Sequence, residues 1–157
     1  MLFEFQNISK ASLLFGMTWI TNLLIITAFL SLALVSNFLV ARKYLPIKLA
    51  WAGLFISLTI QLIIPLTNFN QLSIMGRYLI APLAMSFPVL FSGVIFANFF
   101  EKSKDKSMAF ASNLMGMAVG GICEMFSYLT GVSSMLWLTI LFYGLALAGA
   151  RRQILRR

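Results

Sequence analysis

The run GMAVGGICEMF, residues 116–126, carries a carboxylate inside an otherwise apolar stretch. Ser112, Gly116, Gly120 and Glu124 follow one another at intervals of four. On a helix that interval gathers small residues on one side, where a second helix can approach closely, and leads them into an acid. An unpaired charge at mid-bilayer costs roughly 3 kcal/mol on insertion scales. Glu124 is therefore expected to face protein. Its candidate partners are Asn22, Gln61, Arg77, Tyr128 and Tyr143. Asn22 and Arg77 stand near the same ends of their apolar blocks as Glu124 does, so they share its expected depth. Three roles fit this carboxyl: a hydrogen bond or ion pair joining helices, a proton or substrate site, or contact with another subunit.

Little else in the chain could do chemistry. There is no histidine, which excludes a Ser-His nucleophile, a His-ligated haem and a two-His iron site. Cys123 is the single cysteine, so neither a disulfide framework nor a cysteine zinc site is expected. The acids are Glu4, Glu101, Asp105 and Glu124, and only the last lies within an apolar block. Paired-carboxylate catalysis has no basis there. No G-x-G-x-x-G or P-loop occurs, and GMAVGG has the wrong spacing. No cofactor, no metal and no independent catalytic activity are expected.

The elements that must position Glu124 are apolar throughout. Of 157 residues, 61% are hydrophobic and 10% charged, with a mean hydropathy of +0.93. A soluble domain carries about 25% charged residues, so the expected solvent is lipid. Five apolar blocks cover residues 13–41, 49–67, 78–100, 108–130 and 132–150. A helical crossing needs about 20 residues, and the blocks lack the strict alternation of strands. The expected fold is all-α: one polytopic bundle of five spans filling residues 1–157. Residues 1–10, MLFEFQNISK, lack the basic start of a secretory leader, and none is expected.

The charges set an orientation. Arg42, Lys43 and Lys48 follow the first block, Lys102, Lys104 and Lys106 the third, and Arg151, Arg152, Arg156 and Arg157 the fifth. Only Lys10 and Arg77 fall on the other side. By the positive-inside rule the basic face is cytoplasmic. The N-terminus is then expected outside and the C-terminus inside, in a bacterial inner membrane. The net charge of +8 sits between apolar blocks, which points to the bilayer as partner and not to nucleic acid.

Other features have structural readings. Pro65, Pro82 and Pro88 lie in or near spans and are expected to kink helices. Asn22, Asn37, Asn98 and Asn113 lie in or at the ends of spans, where amides bond across helices. Trp19, Trp51 and Trp137 stand near block ends, as interfacial anchors do.

Two stretches also resemble a known family. One holds Phe15, Gly16, Thr18, Trp19 and Asn22. The other holds Phe87, Pro88, Phe91, Gly93, Ile95, Phe96 and Ala97, then a charged turn, then Asn113, Leu114, Gly116, Gly120, Gly121 and Glu124. The pattern resembles the membrane region of bacterial spermidine synthase-like integral membrane proteins, which join many helices to a soluble aminopropyltransferase-like domain. No counterpart of that domain lies in these 157 residues. The resemblance implies a related membrane fold and does not extend to aminopropyl transfer. The expected function is a non-catalytic membrane subunit packing against partner membrane proteins in a larger complex. The alternatives are a small transporter or proton- or lipid-handling component using Glu124, and the membrane module of a split aminopropyltransferase-like enzyme.

Overall fold

The computed structural model describes residues 2–16, 19–63, 66–71 and 73–154, with the backbone alone at residues 66, 67, 70, 74, 77 and 151–154. Among these residues the chain is mostly helical, without strands. Its helices are α1 (Leu2–Phe15), α2 (Trp19–Ala41), α3 (Ile47–Ile63), α4 (Ile74–Ser86), α5 (Pro88–Lys102), α6 (Lys106–Glu124), α7 (Ser127–Thr130) and α8 (Ser134–Ile154). A 3-10 turn, Leu66–Gln71, joins α3 toward α4. By length and composition, Trp19–Ala41 and Lys106–Thr130 can each cross a membrane. The bent pair Tyr78–Ser86 and Pro88–Lys102 adds a third crossing if counted as one span. Ile47–Ile63 and Ser134–Ala150 are apolar but shorter.

Local chemistry explains the boundaries. Gly16 stops α1 with a φ of 83°, a left-handed conformation that glycine tolerates, and its N–H donates to Ser12 O at 2.9 Å. The Thr21 hydroxyl donates back to Gly16 O at 2.9 Å. The expected first block, 13–41, is thereby divided between two helices. α2 ends in a Schellman motif built on Lys43, whose φ is 55°. The Tyr44 N–H reaches Leu39 O at 3.0 Å and the Lys43 N–H reaches Val40 O at 2.9 Å. Asp105 caps α6, accepting the Met108 N–H at 3.0 Å. The Lys106 ammonium meanwhile donates to the last carbonyls of α5, Phe100 and Glu101.

Packing centres on α2, α3 and α5. Ala50, Leu54 and Leu58 of α3 meet Val94 and Ile95 of α5 and Leu136 of α8. A second cluster joins Ala11 of α1, Ile25 of α2 and Met85 of α4. Glycines allow the closest approaches. A Cβ at Gly93 would collide with Ser36 of α2, and one at Gly53 with the ring of Phe91. Large apolar side chains such as Leu23, Leu30, Leu34, Ile56 and Ile63 face outward. In water that surface would aggregate, whereas lipid tails accept it.

α1 is the main departure from the sequence reading, which left residues 1–10 as an outer segment. It folds back along α2, with the Phe3 and Phe29 rings 6.0 Å apart. It also touches α4, α6 and α8. Its 14 residues span about 21 Å at 1.5 Å per residue, short of the ~30 Å hydrocarbon core.

Candidate functional site

The stripe leading to Glu124 does not stay on one side of α6. At 3.6 residues per turn, each four-residue step drifts by about 40°, so three steps rotate by about 120°. Gly120 is accordingly the single buried residue of Lys106–Glu124. Ser112 and Gly116 are exposed, and a Cβ added at Gly116 or Gly121 would meet nothing within 4 Å. Glu124, at the C-terminal end of α6, is half-buried. Its Oε1 is shielded from solvent and has no hydrogen-bond partner among the described residues. α6 packs mainly against α1 and α5.

The expected partners of Glu124 are dispersed. Asn22 is exposed on α2, and Tyr128 is exposed on α7. The side chain of Arg77 lies outside the described residues. Tyr143 lines a crevice between α5 and α8. Gln61 has a different task. Its Nε2 donates to Met85 O, with a longer contact to Ala84 O at 3.4 Å.

That bond belongs to a polar cluster at a helix break. α4 and α5 bend by 42° at Phe87. Pro88 has no N–H for the carbonyl one turn back, Ala84, whose remaining backbone donor is the Phe87 N–H at 3.4 Å. The bend also opens the Met85 carbonyl to side chains. Asn7 Nδ2 reaches it from α1 at 2.8 Å, while Gln61 reaches it from α3. Two amides from different helices thus satisfy backbone that a straight helix would have paired internally, as broken helices in lipid require. A cavity of about 100 Å³ adjoins the break, lined in part by Asn7, Lys10, Gln61 and Phe69. Gln6 of α1 is fully buried, and neither of its amide atoms has a partner among the described residues; the same holds for Ser86 Oγ.

The sequence reading assigned cross-helix amide bonds to other residues. Asn98 donates to Val94 O of its own helix at 2.9 Å. Among the described residues Asn113 makes only a 3.9 Å contact with Met117 Sδ, and Asn22 and Asn37 are exposed. The cross-helix role falls to Asn7 and Gln61 because the acceptors they meet exist only once Pro88 has broken the helix. The tryptophans divide similarly. Trp19 and Trp137 are 74% and 63% exposed, but Trp51 is 5% exposed and packs in the core. Its indole N–H, which a buried tryptophan normally pairs, has no partner among the described residues.

Chemically, the arrangement offers packing and hydrogen bonding. Among the described residues no three of His, Cys, Asp and Glu cluster to hold a metal. Comparison of the chain with family models, with curated proteins and with solved structures returns no match.

Proposed function

We propose that this chain is a non-catalytic integral membrane subunit that packs against a partner membrane protein through α6. The observation that supports this reading is how little of α6 the chain itself covers: one residue of nineteen is buried. Exposed Ser112 and Gly116 offer a second helix close approach, and the half-buried Glu124 stands one turn beyond Gly120. In lipid a small residue gives no advantage over leucine unless another helix comes near. In this reading the chain crosses a bacterial inner membrane five times, by α2, α3, the bent pair α4 and α5, α6 with α7, and α8. The basic turns are cytoplasmic, and α1 dips back into the bundle from the outer face. The resemblance to spermidine synthase-like membrane regions is in keeping with a module that works alongside other polypeptides.

Purification in mild detergent with identification of the co-eluting proteins tests the proposal. A stoichiometric membrane partner is expected, lost on Gly116→Leu and on Glu124→Leu and largely kept on Glu124→Gln. A partner-free monomer that moves a solute in liposomes, and loses that activity on Glu124→Gln, would overturn it in favour of a transporter. Co-purification of a soluble S-adenosylmethionine-binding domain would instead favour a split transferase.

A further inference from the structure

Between α3, α5, α6 and α8 lies an open crevice of about 670 Å³, within the range of small-molecule sites. We infer that it holds one anionic phospholipid, with an acyl chain against its aromatic wall and the headgroup at the basic end of the bundle. The walls include Phe96 and Phe99 of α5, Asn113 of α6 and Tyr143 of α8. Trp51 lines it from α3, is 5% exposed, and carries the indole N–H left without a partner among the described residues. A dry N–H is costly, and a ligand bearing oxygen acceptors relieves it. Asn113, whose one contact among the described residues is the weak one to Met117 Sδ, supplies a second donor. Glycerol-ester carbonyls and phosphate oxygens are such acceptors.

Charge and length favour a lipid over a helix as occupant. Lys48 and Lys102 each stand one turn beyond a crevice-lining residue, Trp51 and Phe99 respectively, at the same end of the bundle, and both are exposed. Arg151 and Arg152 follow the lining residue Ala150. Glu101 and Asp105 are the acids at this end, and they leave it basic. Basic pockets between membrane helices bind anionic headgroups. Along α5 the crevice extends from Val89 to Phe99, about 15 Å at 1.5 Å per residue. That is the depth of one leaflet of a ~30 Å core. A lipid of that leaflet fills it, whereas a crossing helix would need twice the depth.

The test uses the full chain with Trp19→Phe and Trp137→Phe, both exposed positions, so that Trp51 is the sole tryptophan. The protein is placed in phosphatidylcholine liposomes containing a low fraction of brominated phosphatidylglycerol or of brominated phosphatidylcholine. The expected result is saturable quenching of Trp51, at least threefold stronger with the anionic lipid, with the preference lost in Lys48→Gln/Lys102→Gln. Equal quenching by the two lipids, or none, would overturn the assignment. Native mass spectrometry of the unaltered protein gives a second reading that does not depend on the variants folding. One retained phosphatidylglycerol is expected in preference to phosphatidylcholine; retention of neither, or of both alike, contradicts the site.

Discussion

Gly93 on α5 and Gly116 on α6 make opposite use of a missing side chain. At Gly93 the space is taken, since an added Cβ would strike Ser36 on α2. At Gly116 nothing lies within 4 Å of that position. The same contrast separates the two halves of the molecule. At Gly53 of α3 and Gly93 of α5, glycine marks a contact the chain makes with itself. In α6 and α8 the glycines at 116, 121, 144 and 149 all open onto empty space. A glycine in a membrane helix therefore reports close packing only once its neighbour is known, and at Gly116 no described residue supplies one.

The strongest way to break this comparison is to fill both positions. Gly93→Leu forces α2 and α5 apart and should cost about 3 kcal/mol. Gly116→Leu should change the stability of the isolated chain by less than about 0.5 kcal/mol. Unfolding in mixed detergent micelles, followed by circular dichroism, measures both. Equal losses would show that α6 is packed within the chain after all.

A smaller effect is expected at the helix break. Asn7→Leu and Gln61→Leu together leave the Met85 carbonyl without its side-chain donors, at a cost of about 1–3 kcal/mol. Either alone should cost about 0.6 kcal/mol, the average for hydrogen bonds between membrane helices. Adding Pro88→Ala lets the helix pair its own carbonyls, so the double substitution should then cost less. Failure of Pro88→Ala to reduce that penalty would show that the amides have some other role.

What the sequence made legible was local. The apolar blocks and the break at Pro88 each follow from a few adjacent residues, whereas Pro82 lies inside α4 and Pro65 lies outside the described residues. The fold-back of α1 was hidden because Gln6, Asn7 and Lys10 read as residues outside the membrane, and the acceptor that binds Asn7 lies 78 residues away. Gln61 was noticed as a membrane amide, but its acceptor is a backbone carbonyl that only the bend exposes. The stripe on α6 was legible in its spacing. Its drift around the helix turns Gly120 inward and leaves Ser112 and Gly116 outward.

The smallest expected effects concern Glu124 in the isolated chain. Glu124→Gln and Glu124→Leu should each shift its unfolding midpoint little, within about 0.5 kcal/mol, because the shielded oxygen has no partner among the described residues. A large loss for Leu alone would reveal a partner within the chain.

Site-specific photo-cross-linking in native membranes tests the central claim most directly. A benzophenone side chain is placed at Met115 on α6, 70% exposed, or at Leu30 on α2, 66% exposed, so the two sites differ in face and not in accessibility. Met115 should give one discrete protein adduct that disappears with Gly116→Leu, while Leu30 gives lipid adducts only. Lipid adducts alone at both positions would contradict the account, because α6 would then face the bilayer as α2 does.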